Sequence, residues 1–221
     1  MLRRFRDRTE AGQLLAEQLK EYANRSDVLV LALPRGGVPV GYEIARALNA
    51  PLDVLIVRKL GAPGQEELAM GAIASGGVRI MNETVLPFLS LTEEEIERIV
   101  AREQSELERR EKLYRGDRPA PDARGKTVIL VDDGIATGAS MRSAVEAIRQ
   151  RQPAKLIIAA PVAARSTCDE FNREADHETC VCLETPEPFF AVGLWYEDFA
   201  QTTDDEVRDL LALAAREMDQ S

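Results

Sequence analysis

Apolar positions recur along the chain with two periods, one near 3.6 and one of unbroken short runs. Ala11, Leu14, Leu15, Leu19 and Tyr22 lie on one face at helical spacing, with Thr9 placed to cap them, so a helix is expected over residues 9–22. Residues 28–33 are apolar throughout and read as a buried strand. A helix through Tyr42, Ile44, Ala45 and Leu48 follows, with Pro39 tolerated in its first turn. Further strands are expected over 52–57, 78–82, 128–131, 155–160 and 179–183. Thr92 and Glu95 form a capping-box start for a helix reaching about Tyr114. Met141, Val145 and Ile148 mark another, and residues 166–175 a short one. Residues 60–77 carry five glycines and little periodicity, which suits a flexible lid or a disordered stretch. Two prolines make residues 185–199 irregular, although they hold nearly half of the aromatic side chains. Strands alternating with helices predict an α/β fold, an open and mainly parallel sheet covered by helices on both faces. Ligands then bind at the carboxyl ends of the strands.

The totals narrow the class. A chain of 221 residues suits one α/β domain over 1–221, with a lid at about 60–77 and a small aromatic hood built from 185–200 and the first helix. No apolar run approaches the ~20 residues of a membrane span, and the basic start at Met1 has no apolar stretch behind it to make a secretory signal. A net charge of −10 argues against nonspecific nucleic-acid binding. Three cysteines, Cys168, Cys180 and Cys182, are too few and too odd in number for a disulfide framework, which suggests a cytoplasmic protein. His177, Cys180 and Cys182 lack a second ligand pair for zinc, and Cys180 to Leu183 reads as a strand.

The chemistry concentrates at the end of the strand 128–131. Asp132 and Asp133 stand at its carboxyl end, followed by a loop of small residues and then a helix. Gly134 and Gly138 let backbone N–H groups converge on one anion, Thr137 and Ser140 add hydroxyls, and the helix N-terminus adds partial positive charge. The carboxylates repel that anion but accept hydrogen bonds from vicinal hydroxyls or steady the water shell of a cation. A sugar bearing hydroxyls and a terminal phosphate satisfies both halves. The plainer alternative is an ordinary strand–helix turn with an acidic lip. Arg35, Gly36 and Gly37 occupy an equivalent turn after residues 28–33, where the glycines permit close backbone approach and the guanidinium can grip phosphate. Arg58 and Lys59 end the next strand.

Four apolar residues, Asp132-Asp133, three variable residues, Thr137-Gly138 and then Ser140 resemble the phosphoribosyl pyrophosphate (PRPP) motif of type I phosphoribosyltransferases. The resemblance implies that Asp132 and Asp133 hold the ribose hydroxyls and reach Mg²⁺ indirectly through PRPP and water. It implies that Ala136, Thr137, Gly138, Ala139 and Ser140 cradle the 5-phosphate. Arg35, Gly36 and Gly37 look like the pyrophosphate loop, whose preceding peptide, here Pro34–Arg35, is often cis in the family. Arg58 and Lys59 look like the Arg-Lys pair that opens the lid in the adenine and orotate branches, sometimes serving a neighbouring subunit of a homodimer. Phe190, Ala191 and Trp195 fall in a segment resembling the base-binding hood. Ala136 stands where the hypoxanthine-guanine branch carries an Asp, and residues 155–163 lack its Lys, which argues against a 6-oxopurine acceptor. Glu66 and Glu67 in the lid are then the candidates for managing the acceptor's proton, with Lys59 beside them as a catalytic cation. The implied activity is transfer of ribose 5-phosphate from PRPP to a nitrogen acceptor such as a nucleobase, with release of pyrophosphate. Two rivals are a non-catalytic PRPP-binding regulator on the same fold and a dinucleotide-binding oxidoreductase using Gly36-Gly37.

Overall fold

The computed structural model describes residues 3–174 and 178–219; within these, the side chains of Glu66, Glu67, Glu174 and Glu178 lie outside the described set. The chain runs α1 (Arg8–Gln18), a 3-10 turn (Lys20–Tyr22), β1 (Val28–Ala32), α2 (Gly37–Leu48), β2 (Leu52–Val54), β3 (Val57–Ala62), β4 (Gln65–Ala74) and β5 (Val78–Met81). It continues with α3 (Glu93–Arg115), β6 (Thr127–Val131), α4 (Ala139–Arg149), β7 (Lys155–Val162), α5 (Arg165–Glu174), β8 (Glu178–Glu184), a 3-10 turn (Val192–Trp195) and α6 (Asp204–Met218). No helix among the described residues is long and apolar enough to cross a membrane.

The main sheet has the order β2-β1-β6-β7-β8 and every pairing in it is parallel. β1 and β6 are buried at every position, which is why both read as unbroken apolar runs. Their alternate side chains serve opposite faces. Val28, Val30, Ile129 and Val131 pack with Leu15, Leu19, Ile44 and Leu48 of the α1–α2 layer. Leu29, Leu31, Val128 and Leu130 pack with Met141, Val145, Ile148 and Phe171 of the α4–α5 layer.

Three expectations need correction. α1 is capped by Asp7, whose Oδ1 accepts from the Glu10 N–H at 2.8 Å, so Thr9 lies inside the helix. Aspartate caps as well as threonine, and here it stands one residue before the first helical position. The expected strand 52–57 is not one strand: β2 stops at Val54, and Val57 opens a second sheet. That sheet absorbs most of the expected lid. Residues 57–81 form an antiparallel sheet of order β3-β4-β5. Pro63-Gly64 joins β3 to β4 between the paired residues Ala62 and Gln65, with Gly64 at φ +74°, the sign a central turn glycine after proline adopts. Gly76 and Gly77, both at positive φ, turn β4 into β5. The glycines thus make turns, and Gly71 brings the backbones together, since a Cβ there would overlap the Ile80 carbonyl. Leu60, Met70 and Ile73 bury this sheet against Leu107 and Tyr114 of α3.

α6 was absent from the expected elements. Thr203 accepts from the Glu206 N–H at 3.1 Å, and Val207 and Leu211 bury its inner face. The Thr203-Asp204-Asp205-Glu206 pattern is the same start signal that Thr92 and Glu95 display for α3, where both capping-box bonds form.

Candidate functional site

β6 delivers Asp132 and Asp133 to the carboxyl edge of the central strand, and α4 begins at Ala139 after a loop of five residues beyond the acidic pair. The loop is pinned on its far side. Ile135 N–H donates to the Val162 carbonyl at 2.9 Å, and the Ala164 N–H donates to the Ile135 carbonyl at 2.8 Å. Thr167 Oγ1, in the first turn of α5, donates to the Ala136 carbonyl at 2.9 Å, and Arg142 donates to the Thr137 carbonyl. The first amides of α4, like those of any helix start, have no intrahelical partner and can serve an anion. Gly138 takes φ +73° as the helix cap, and a Cβ on it would press into Thr167 at 2.6 Å. The hydroxyl-bearing residues Thr137 and Ser140 are placed at the rim, both of them exposed. A cavity of about 180 Å³ is lined by Asp132, Gly134, every residue from Ala136 to Ser140, and Val192 of the tail.

The Arg35-Gly36-Gly37 turn abuts the acidic pair. A Cβ on Gly36 would fall on the Asp133 carboxylate, and one on Gly37 would sit 2.7 Å from the Val131 carbonyl. Gly36 has an ordinary right-handed backbone (φ −60°, ψ −31°), so what it provides is space and not conformational freedom. The Pro34–Arg35 peptide is cis. Arg35 lies 3.8 Å from Asp204 of α6, which also accepts from Tyr114 Oη at 2.5 Å. Burial, then that carboxylate, pushes the Tyr114 phenol up to about 12.

Asp133 is the hub of the site. Arg8 Nε of α1 donates to its Oδ2 at 2.8 Å, with both side chains mostly buried. The Asp133 N–H donates to Asp132 Oδ1 at 2.9 Å, and Tyr196 Oη donates to the Asp133 carbonyl at 2.6 Å. Arg8 also donates to the Ala200 carbonyl at 2.7 Å and stacks 4.1 Å from the Phe199 ring. Burial raises the Asp132 pKa well above the carboxylate range, and the neighbouring Asp133 charge adds to it. Burial also raises Asp133, against the opposing pull of Arg8. Burial, then the Asp133 charge, raises Tyr196 too. Burial is therefore the larger influence on both carboxylates, and it favours their protonated forms. Hydroxyl donors or a nearby hydrated cation would fit the pair.

The two basic residues of β3 part company, because neighbours on a strand face opposite ways. Arg58 is held by Glu103 of α3, with its Nε 2.8 Å from Glu103 Oε2, while Lys59 is exposed on the other face. Burial pushes Glu103 up, but Arg58 and then Arg102 outweigh it and leave the carboxyl below its usual range. Glu66 and Glu67 belong to β4, close to its turn, and their side chains lie outside the described residues. In the tail, Phe190 is 78% exposed and Ala191 is exposed as well. Trp195 packs with Phe5 and Val162 beneath the hood. Val192 is the tail residue that enters the cavity, because Gly134 opposite it has no side chain; a Cβ there would overlap Val192 Cγ1.

Sequence reasoning did not single out Arg8, Thr167, Tyr196 or Phe199 as site residues, whereas Val192 lay within the segment 189–193 that resembles the base-binding hood. No signal existed for Arg8, which reaches Asp133 across 125 residues of chain. A larger cavity, about 580 Å³, lies between β4–β5 and α4 and is lined by Gly71, Met81, Asn82, Arg142 and Glu146; none of residues 132–140 borders it.

A family model described as phosphoribosyl transferase domain matches residues 7–197. Rv0571c of Mycobacterium tuberculosis, which carries a provisional name as a phosphoribosyl transferase, is 43% identical over 213 residues. That alignment takes in 96% of this chain and 47% of the relative, so the chain spans about half the length of the curated relatives it matches. The crystal structure of TT1426 from Thermus thermophilus superposes with a TM-score of 0.82 at 42% identity, covering 94% of this chain and 97% of that one. AQ2163 from Aquifex aeolicus shares the fold at 13% identity, with a TM-score of 0.50 over 80% of this chain and 73% of its own.

Proposed function

The chain belongs to the phosphoribosyl transferase domain family, and from that premise we propose that it binds PRPP with Mg²⁺ and moves the ribose 5-phosphate to a nitrogen acceptor of the nucleobase class, releasing pyrophosphate. One observation carries the reading. The same small cavity is lined by Asp132 and by the turn from Ala136 to Ser140. No single inorganic anion suits both walls, whereas a phosphorylated sugar places its hydroxyls on one and its phosphate on the other.

In this reading Asp132 and Asp133 accept from the ribose hydroxyls, and Thr137, Ser140 and the α4 amides bind the 5-phosphate. Arg35 exchanges Asp204 for the pyrophosphate, with Gly36 and Gly37 allowing the backbone to approach. Lys59, exposed on the face of β3 opposite Arg58, is the cation assigned to the departing group. Mg²⁺, when bound through PRPP oxygens and water near the acidic pair, supplies further positive charge to the pyrophosphate. The work of the site is positioning, together with stabilising charge that develops on the leaving group. Val192 and the exposed Phe190 border the space for an acceptor. Ala136 has no proton to give or take, so Glu66 or Glu67 remains the proposed partner for the acceptor's proton.

A thermal-shift titration tests binding. PRPP with Mg²⁺ at about 100 times its dissociation constant is expected to add about 2.7 kcal/mol of stability. NAD at the same concentration is expected to add nothing. Equal shifts from the two, or none from PRPP, would sink the proposal. Pyrophosphate release in the presence of individual nucleobases then separates a transferase from a regulator that only binds PRPP.

A further inference from the structure

Three cysteines from two elements meet on the α5 side of the sheet, apart from the cavity just described. Cys168 lies on α5, and Cys180 and Cys182 lie two positions apart on β8, hence on one face of that strand. Cys168 Sγ is 3.0 Å from Cys180 Sγ, and Cys180 Sγ is 3.6 Å from Cys182 Sγ. All three sulfurs lie within 4.8 Å of one another. Alternate positions on a strand are about 6.6 Å apart along the chain, so the two β8 side chains lean together toward the sulfur of α5. Sequence spacing did not suggest this, because α5 supplies Cys168 from twelve residues away.

The surroundings are those of a soft-ligand site. Cys168 and Cys180 are buried and Cys182 is half-buried, among Phe171, Ile158 and Leu156. Asn172 orients the cluster: its Oδ1 accepts from the Cys180 N–H at 2.8 Å, and its amide nitrogen is 3.9 Å from Cys168 Sγ. Thiols are weak hydrogen-bond donors, so three of them facing one another gain little as thiols. As thiolates around one cation at about 2.3 Å, they would stand about 3.8 Å apart, close to the observed spacing. Thiolate ligands select soft d10 ions over hard ones.

We propose that Cys168, Cys180 and Cys182 bind one thiophilic d10 cation, Cu(I) or Zn(II), which staples α5 to β8. Three metal–sulfur bonds form and the three thiol protons pass to solvent, with no change of oxidation state. The half-buried Cys182 edge is the way in. A Cys168–Cys180 disulfide would use two of the three sulfurs, leave Cys182 without a part, and require an external oxidant. The staple would also steady Thr167, the neighbour of Cys168 that holds the Ala136 carbonyl of the phosphate loop.

The test uses the 221-residue chain, reduced and stripped with a chelator under anaerobic conditions. It is titrated with Zn(II), with Cd(II) as a spectroscopic probe, and with Cu(I) in competition with a chromophoric chelator. One equivalent is expected to bind, with a thiolate-to-metal charge-transfer band in the ultraviolet and a rise in Tm. Cys182→Ser, at the half-buried position, is expected to keep the far-ultraviolet dichroism of the metal-free parent. It should lose the band and bind more weakly by more than about tenfold, the size that even a change outside the ligand set can produce. Tighter binding of Cu(I) or of Zn(II) identifies the ion. Failure of all three ions to bind the reduced parent overturns the proposal. So does binding undiminished in Cys182→Ser, or a Cys168–Cys180 disulfide in the isolated protein that binds no ion after reduction.

Discussion

At the scale of single residues, the site is governed by how much room and how much negative charge surround Asp132 and Asp133. Gly36 stands against the Asp133 carboxylate with an ordinary backbone angle, so alanine there fits the backbone but not the space. Gly36→Ala is expected to displace that carboxylate and weaken Mg²⁺–PRPP binding by about 1.5–3 kcal/mol, the worth of a charged hydrogen bond. Calorimetry reads this, and unchanged affinity would show that Asp133 does not touch the ligand. Asp132 makes a prediction of the opposite kind for stability. Its folded pKa is raised by burial and by Asp133, so between the unfolded and folded values the native state holds the extra proton. Stability from this group is full below the unfolded pKa and is lost as pH rises through the folded one. Asp132→Asn is therefore expected to raise Tm at pH values above the folded pKa, with the gain shrinking as the solution is acidified. Melting both proteins across pH checks it; a gain that grows in acid would contradict the assignment. The acidic pair was legible because its chemistry is local: a buried strand, two carboxylates and a small-residue turn adjoin in the chain. Arg8 was not, since nothing near residue 8 reports which carboxylate it will meet.

At the scale of elements, periodicity worked where a segment is buried on a single pattern and faltered where turns carry the information. The central strands of the five-strand sheet followed from unbroken apolar runs. Of the second sheet only β5 was expected, because β3 and β4 carry glycines and alanines that break the apolar pattern. Pro63-Gly64 and Gly76-Gly77 are the turns between these strands. The pairing bears on Arg58. On a mobile lid it could serve pyrophosphate; on a paired strand, alternation turns it toward α3 and Glu103. Arg58→Ala leaves Glu103 mostly buried without its strongest partner and is expected to destabilise the fold by about 1–3 kcal/mol. Its effect on PRPP affinity should be smaller than that of Lys59→Ala on the opposite face. Urea unfolding and ligand titration of the two variants decide this, and a stable Arg58→Ala that binds PRPP poorly would return Arg58 to the site.

At the scale of the whole molecule, segments far apart in sequence converge on one residue. Arg8 comes from the first helix and Tyr196 and Phe199 from the tail, and Asp133 lies near the middle of the chain between them. Arg8 grips the Asp133 side chain, and Tyr196 grips its carbonyl. The Arg8 guanidinium lies 5.9 Å from the Tyr196 ring and 4.1 Å from Phe199, which stacks 5.0 Å from Tyr196. The Phe5 N–H donates to the Trp195 carbonyl, and the Glu197 N–H donates to the Phe5 carbonyl, each at 2.8 Å, so the two ends are also joined through backbone. The hood is therefore one unit with α1, and its two contacts with Asp133 are expected to depend on each other. Tyr196→Phe removes a hydrogen bond to a carbonyl and should cost about 1–1.5 kcal/mol. Arg8→Met keeps some of the length but removes the charge. It should cost about 1–3 kcal/mol, because Asp133 loses the cation that opposes its burial. If the contacts were independent, the double variant would lose the sum. Because both hold one residue and the side chains touch the same ring, an interaction energy of about 0.5–3 kcal/mol is expected instead. Once Arg8 is gone, Asp133 can shift and Tyr196 has less to hold. Denaturant unfolding of the parent, both single variants and the double variant closes the cycle. Additivity within about 0.3 kcal/mol would mean that α1 and the tail act on the loop separately.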